Sequence, residues 1–183
     1  VTTEIDCKGG YEFGGRRFRC HDRIGHGPVN YVHALSKSCD VYFYWLGEQL
    51  GMDTLHEYAT KYFGFGQPTG IGIGESSGIV PNKDWHRRNE RVWMPGFTLS
   101  TAVGQKDVRA TPLQVARAFI PMANGGELIE ARIVRQFEDV HGDVIRAMTR
   151  ESTGRIPVSE EDMARMQEGL WRVVNDENGT AFN

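Results

Sequence analysis

A ten-residue apolar run constrains the fold of this chain more than any other feature. The run VYFYWLGEQL occupies positions 41–50, directly after Ser38-Cys39-Asp40 and directly before Gly51. It is apolar on most faces of a helix, so the sequence predicts a buried helix around which the rest of the chain packs. Asp40 is expected to cap the N-terminus of this helix, and Gly51 is expected to end it.

The overall composition is that of a globular protein. The chain has 183 residues, of which 39% are hydrophobic, and this suits one domain or one large piece of a domain. A net charge of −3 without a dominant Lys/Arg run disfavours a nucleic-acid partner. No apolar stretch reaches the length of a membrane span. The chain opens without a Met and stops on NDENGTAFN, so we interpret both ends as cuts in a longer protein.

Three segments differ in character along the chain. Residues 1–28 are rich in Gly and Arg and are expected to form an irregular or short-stranded lobe. Residues 29–126 read as a helical lobe, in which Thr111 and Pro112 are expected to open a helix. Residues 127–183 read as a β-hairpin that turns at residues 141–143, followed by a helix that Ser159 caps. Within the helical lobe, residues 64–98 hold many Gly and Pro residues, and connections of that length are usually functional.

The cysteines suggest two alternative roles. Cys7, Cys20 and Cys39 combine with His26 in the spacing Cys-x12-Cys-x5-His-x12-Cys. Three thiolates and one imidazole form an ordinary tetrahedral zinc set, although the tight Cys-x-x-Cys pair of common zinc modules is missing. The alternative is a Cys7–Cys20 disulfide that leaves Cys39 as a buried free thiol. A zinc-ribbon nucleic-acid binder is disfavoured by the acidic charge and the uneven ligand spacing.

Four segments together resemble one known family. They are GHGPVNYVHALSKSCDVYFYWLGEQLGMD, FGFGQPTGIGIGESSGIVP, WMPGFTLSTAVGQKDVRATPLQVARAFIPMANGG and WRVVNDENGTAF. In this order they resemble the transpeptidase domain of class B penicillin-binding proteins, nearest to the cell-elongation type, penicillin-binding protein 2. One departure is local: the family commonly has Gly-Gln-Gly where this chain has Gly104-Gln105-Lys106, which reduces the backbone freedom at Lys106.

The resemblance implies the serine β-lactamase/transpeptidase fold, an α+β and mainly helical class in which a helical lobe packs on a β-sheet. The family carries three motifs, Ser-x-x-Lys, Ser-x-Asn/Asp and Lys-Thr/Ser-Gly. Only the second occurs here, as Ser38-Cys39-Asp40, and Ser36 offers a competing Ser-x-Ser reading. The cuts are therefore expected to fall after the nucleophile helix and before the oxyanion strand. The chain by itself would then be inactive.

The resemblance also implies a function for the parent protein. It would be a D-alanyl-D-alanine transpeptidase that cross-links peptidoglycan stem peptides and is acylated by β-lactams. Its place would be the periplasm, anchored to the cytoplasmic membrane beside membrane proteins of the elongation machinery. Ser38 would pass a proton between the lysines and the leaving amine, and Asp40 would help to hold the substrate amide and the neighbouring lysine. The alternative is a non-catalytic sensor or scaffold module of the same fold.

The resemblance bears on the cysteines as well. Some elongation-type members hold a structural zinc near the Ser-x-Asp motif through carboxylates, a histidine and the cysteine of the motif. Cys39 and His26 match that pattern, and Cys7 and Cys20 would take the place of the carboxylates. We rank His21 below His26 as a ligand, because neighbouring residues seldom both face one ion. A zinc here would fix the turn that aims the two catalytic side chains.

Overall fold

A computed structural model of the chain describes residues 3–89, 92–149 and 151–182. These residues form short helices and short antiparallel strand pairs. The helices are α1 Tyr31–Ser36, α2 Asp40–Leu50, α3 Met52–Lys61, α4 Lys83–Arg88, α5 Gly96–Ala102, α6 Pro112–Ala123 and α7 Glu160–Asn175. The strands are β1 Ile5–Cys7, β2 Gly10–Phe13, β3 Arg16–Arg19, β4 Gly27–Val29, β5 Glu127–Ile129, β6 Gln136–Glu138, β7 Val144–Ala147 and β8 Ser152–Arg155.

The apolar run forms α2, and this helix lies in the core as the sequence predicted. Val41 and Tyr42 are fully buried in a cluster that includes the three cysteines. Gly47 faces α5 so closely that a Cβ there would lie 2.5 Å from the Cβ of Ala102. Burying a side chain such as that of Val41 contributes about 1.5–3 kcal/mol. The helix α2 is therefore the element on which the other segments are assembled.

The N-terminus of α2 differs from the prediction. Cys39 is the N-cap residue, with φ −73° and ψ 100°, and it makes no capping hydrogen bond through its side chain. Asp40 is instead the first helical residue, and its carboxylate accepts a hydrogen bond from the backbone N–H of His21 at 2.8 Å. The prediction that Asp40 caps α2 was therefore wrong, because a tertiary contact engages its carboxylate. Gly51 ends the helix with φ 78°, as expected.

The N-terminal segment forms two strand pairs that position the site. β1 pairs with β4, which places Cys7 opposite Gly27. β2 and β3 form a hairpin that turns at Gly14 and Gly15, both with positive φ. Between these pairs, a Cβ on Gly25 would lie 2.1 Å from the carbonyl oxygen of Cys7. Only a glycine allows this approach, which brings the neighbouring His26 beside Cys7.

The remaining elements agree with the sequence in part. Thr111 caps α6 in a capping box with Gln114, and Ser159 caps α7. β6 and β7 form the hairpin expected around residues 141–143. The pairing of β5 with β8 and the short helix α4 were not predicted. Within residues 3–89, 92–149 and 151–182, no helix combines the length and the apolar character that crossing a membrane requires.

Candidate catalytic motif and metal centre

The turn between α1 and α2 carries Ser38 in an unusual backbone conformation. Its φ is 50°, in the left-handed region that non-glycine residues rarely adopt. The Ser38 N–H donates to the carbonyl oxygen of Leu35 at 3.2 Å, and the Cys39 N–H donates to that of Ala34 at 2.8 Å. These bonds fold the turn tightly and leave the Ser38 side chain at the surface. Ser36, the alternative serine, is buried and donates to His33 within its own helix.

The C-terminal segment reaches this turn from the far end of the chain. The hydroxyl oxygens of Ser38 and Thr180 lie 2.9 Å apart, and the Thr180 N–H donates to the carbonyl oxygen of Ser36 at 3.1 Å. Gly179 makes the approach possible, since a Cβ there would lie 2.3 Å from the carbonyl oxygen of Arg172 in α7. The segment after α7 therefore orients the Ser38 hydroxyl directly.

The segment after β3 holds the other side of the turn. The backbone N–H of His21 donates to Asp40, and His21 Nε2 lies 2.9 Å from the carbonyl oxygen of Lys37. Two contacts therefore connect one residue to both sides of the motif. His21 supports Asp40 and is not one of the four clustered ligands described next, although its ring centroid lies 5.1 Å from that of His26.

The four side chains proposed as metal ligands come together behind the turn. The ligand atoms of Cys7, Cys20, His26 and Cys39 all lie within 4.8 Å of one another. His26 Nδ1 is 3.5 Å from the sulfur of Cys7 and 3.6 Å from that of Cys20. The three sulfurs are fully buried, and none of them is in a disulfide. The sequence separates these residues by up to 32 positions, and the fold alone brings them together.

This cluster fits a tetrahedral zinc ion. Zinc bonds of ~2.3 Å to sulfur and ~2.05 Å to nitrogen place those atoms about 3.6 Å apart, which agrees with both sulfur–nitrogen distances. Burial lowers the pKa of His26, which favours the neutral imidazole that coordinates metals. Burial raises the pKa of the Cys39 and Cys20 thiols. Thiols that coordinate a divalent cation are deprotonated outright, so a metal would offset that cost.

Two contributors to the site were missed by the sequence interpretation. His21 was considered only as a rival ligand, whereas the structure places it against Asp40. Thr180 belongs to the stretch NGTA, to which the sequence interpretation gave no role beyond its place in a segment that resembles the family. No local pattern indicates either contact, because each joins residues 19 or more positions apart.

Comparison with known proteins identifies the family. The chain matches the family described as penicillin binding protein transpeptidase domain over residues 2–183. The chain belongs to the penicillin-binding protein transpeptidase family. The prediction made from the four segments is confirmed, and so is the α+β fold class.

Two of the curated relatives to which this chain is similar carry the same name. The chain is 36% identical over 167 residues to the peptidoglycan D,D-transpeptidase MrdA of Acinetobacter baumannii, covering 89% of this chain and 24% of that protein. It is 34% identical over 177 residues to MrdA of Haemophilus influenzae, covering 90% of this chain and 25% of that protein. The chain thus spans about a quarter of the length of these relatives.

Solved structures give the same result for the fold. Pseudomonas aeruginosa PBP2 superposes with a TM-score of 0.85 at 31% identity, covering 98% of this chain and 39% of that one. Helicobacter pylori PBP2, solved in complex with MreC, superposes with a TM-score of 0.80 at 30% identity, covering 98% and 32%. The chain is therefore similar to one part of the penicillin-binding protein 2 fold.

Proposed function

We propose that this chain is the central part of the transpeptidase domain of an elongation-type peptidoglycan D,D-transpeptidase. The whole protein would cross-link peptidoglycan stem peptides and would be acylated by β-lactams. The observation that carries this proposal is the ordered turn at Ser38 and Asp40 in a chain of this family. The segments that contain Thr180 and His21 hold this turn in place. The remaining two family motifs would come from parts of the protein outside this chain.

Ser38 and Asp40 would have distinct roles in the reaction. A serine hydroxyl both donates and accepts, so Ser38 can relay a proton between the family lysines and the leaving amine. Positioned proton transfer of this kind is worth on the order of 10²–10⁴ in rate. Asp40 already accepts the His21 N–H with one oxygen, Oδ2. A carboxylate has about four lone-pair sites, so Asp40 retains acceptor capacity for the substrate amide and a lysine.

The partners and the location follow from this assignment. The substrates would be stem peptides, and β-lactams would compete with them for the same nucleophile. The whole protein would act in the periplasm, anchored to the cytoplasmic membrane among proteins of the elongation machinery. One structural relative, PBP2 of Helicobacter pylori, was solved in complex with MreC, which favours a partner of that kind.

Acylation of the complete protein tests this function. A fluorescent penicillin should label the wild type covalently. The variant Ser38→Ala should be labelled about 10²–10⁴ times more slowly, because the proton relay is lost. Ser77→Ala, which removes the hydroxyl of an exposed serine elsewhere in the helical lobe, is the matched control and should react like the wild type. A correctly folded wild type that is never labelled would favour the alternative of a non-catalytic sensor or scaffold.

The same site is proposed to hold a structural zinc. Cys7, Cys20, His26 and Cys39 would fill all four positions, and a closed tetrahedral site supplies folding energy with no open position for a water or substrate. The burial of the three sulfurs and the two sulfur–nitrogen distances support this set. Since Cys39 lies between Ser38 and Asp40, the ligands would fix the backbone that carries both side chains.

Metal analysis with thiol counting tests the zinc site. Protein prepared without added zinc should contain one zinc and no disulfide, and His26→Ala should lose most of the metal. His141→Ala, at an exposed hairpin turn, is the matched control and should keep it. A Cys7–Cys20 disulfide without metal would contradict the zinc site. If His21→Ala loses as much metal as His26→Ala does, and His21 proves to coordinate the ion directly, the ligand assignment would move to His21.

A further inference from the structure

A cavity lies between the β2–β3 hairpin and α5, and no residue of the Ser38 turn lines it. It has a volume of about 610 Å³ and continues along the turn that follows α5, to Lys106. We name it the hairpin pocket. Cavities of about 300–1,000 Å³ are the usual size of small-molecule sites in proteins. Neither of the proposed catalytic side chains and none of the four proposed zinc ligands lines it.

Most of the wall of the hairpin pocket is apolar. Phe13 and Phe18 contribute two rings that meet edge to face, with centroids 6.5 Å apart. Phe97 and Met94 close the opposite side, and Met94 is 51% exposed. The accessible surface of this wall is mostly hydrocarbon, so it suits a flat or chain-like hydrocarbon body.

Two cationic side chains stand at the same cavity. The Arg16 guanidinium lies 5.3 Å from the ring centroid of Phe18, and the Lys106 ammonium lies 3.7 Å from that of Phe97. None of the described residues that line the hairpin pocket is acidic. Asp107 follows Lys106 in the chain but does not line the cavity. The charge of the lining is therefore positive, and it complements an anion.

The backbone of Lys106 is strained. Its φ is 67°, and within residues 3–89, 92–149 and 151–182 the other non-glycine residue with a positive φ is Ser38. A glycine would adopt this conformation without the steric cost that a lysine side chain brings. Strain of this kind persists where the surroundings over-determine it, and it clusters at ligand-binding sites. The residue in this strained conformation is one that lines the hairpin pocket.

We propose that the hairpin pocket binds a small amphipathic anion, with an apolar body between the Phe rings and a carboxylate or sulfonate head at Lys106 and Arg16. An aromatic or an aliphatic body would meet the same wall. The proposal does not rest on the transpeptidase assignment, because the cavity and the proposed catalytic turn share no residue.

Paired dyes test this site in the complete polypeptide that carries the chain. The probes are 8-anilinonaphthalene-1-sulfonate and N-phenyl-1-naphthylamine, which share one ring system and differ by the sulfonate. The wild type should bind the sulfonate more tightly than the neutral dye. Lys106→Gln and Arg16→Gln should each weaken sulfonate binding about fivefold and leave the neutral dye within about twofold. Displacement by 1-naphthoate or by decanoate would show which type of body fits.

Lys61→Gln is the matched control, because that ammonium also lies over a ring, 5.1 Å from Tyr62, outside the hairpin pocket. It should bind both dyes like the wild type. Equal affinity of the wild type for the two dyes, or no loss in Lys106→Gln, would overturn the proposal.

Lys106→Gly separates ligand binding from a purely structural role. Glycine relieves the left-handed strain, so this variant should keep or raise the melting temperature while it loses sulfonate affinity. If Lys106 serves only to pack against Phe97, the variant should melt at a lower temperature and bind the sulfonate unchanged. That result would overturn the proposal.

Discussion

Ser38 keeps a left-handed backbone only because its surroundings hold it. For an L-residue this conformation costs roughly 1–2 kcal/mol relative to the right-handed one. The Ser38 N–H bonds to Leu35, its hydroxyl meets that of Thr180, and the next residue is buried among the sulfurs. Strain that the surroundings over-determine in this way presents a side chain in a fixed direction, as a proton relay requires.

The contact between Thr180 and Ser38 gives a prediction at the scale of one residue. Thr180→Val keeps the shape but removes the hydroxyl, so the Ser38 oxygen loses its protein partner. We expect the acylation rate constant of the complete protein to fall about fivefold to tenfold, which corresponds to one neutral hydrogen bond. The measurement is the rate of labelling by a fluorescent penicillin, separated into affinity and maximal rate.

Thr180→Ser is the matched control, because it restores the hydroxyl. It should recover most of the maximal rate, with the apparent affinity close to that of the wild type. A Thr180→Val protein that reacts like the wild type would show that Ser38 is oriented without this contact. A wild type that does not react at all would count against the function, not against the contact.

At the scale of elements, Gln114 connects α6 to the long loop in residues 64–98. The side chain is 1% exposed, and its amide nitrogen donates to the carbonyl oxygens of Gln67 and Ser77, both at 2.8 Å. Its amide oxygen accepts the Thr111 N–H at 2.8 Å within the capping box. One side chain therefore satisfies three backbone groups, which explains how a loop rich in Gly and Pro is held in a single arrangement.

Removing this side-chain amide should destabilise the protein strongly. Gln114→Leu leaves three partly buried backbone groups without their side-chain partner, so we expect a loss of about 1–3 kcal/mol in the free energy of unfolding. Chemical denaturation measures it. Gln49→Leu, at an exposed position of α2, is the control and should change the stability by less than about 0.5 kcal/mol. A loss in Gln114→Leu no larger than that of the control would contradict the bracing role.

The same loop contains a carboxylate whose contribution depends on pH. Hydrogen bonds from the Thr69 hydroxyl and backbone N–H, both at 2.5 Å, hold the pKa of Glu75 below its ordinary value of 4.5. A folded pKa below the unfolded one stabilises the protein above the unfolded pKa. This stabilisation is lost as the pH falls through the folded pKa.

Comparison of Glu75→Gln with the wild type across pH tests this assignment. The variant should be less stable than the wild type at pH 6, and the difference should shrink towards zero as the pH falls below about 4. Thermal unfolding at each pH measures the difference, and other carboxylates cancel because both proteins carry them. Glu57→Gln, at an exposed position of α3, is the control and should show a smaller change. A stability difference that grows as the pH falls would contradict a lowered pKa of Glu75 in the folded protein.

At the scale of the whole molecule, the sulfur and imidazole cluster joins parts of the chain that are far apart in sequence. It connects β1, the segment after β3 and the start of α2, and the turn above it also contacts the segment after α7. The core of this small chain is built around the same residues, since the cysteines belong to its buried cluster. Loss of the proposed zinc would therefore affect the core and the proposed catalytic turn together.

A chelator should accordingly destabilise the whole molecule. Structural zinc in small domains contributes roughly 10–16 kcal/mol of apparent binding energy, so we expect its removal to lower the melting temperature by more than about 10 °C. Differential scanning calorimetry before and after dialysis against a chelator measures this, and re-addition of zinc should reverse it. An unchanged melting temperature in protein from which zinc has demonstrably been removed would contradict a structural role.

Local sequence patterns determined much of the secondary structure. The buried helix, its stop at Gly51, the caps at Thr111 and Ser159 and the hairpin around residues 141–143 were all predicted. Each depends on residues two to four positions apart, where propensity and capping chemistry act. The spacing of the cysteines and His26 offered the four candidate ligands, and the family resemblance indicated Ser38 and Asp40.

Only the tertiary structure decided how these residues are used. It placed Asp40 against His21, brought the Thr180 hydroxyl to Ser38 from 142 positions away, and moved the helix cap to Cys39. It also revealed the hairpin pocket and the strained backbone at Lys106. Contacts of this kind form when separate elements pack, and their free energy depends on the whole core, so no window of sequence contains them.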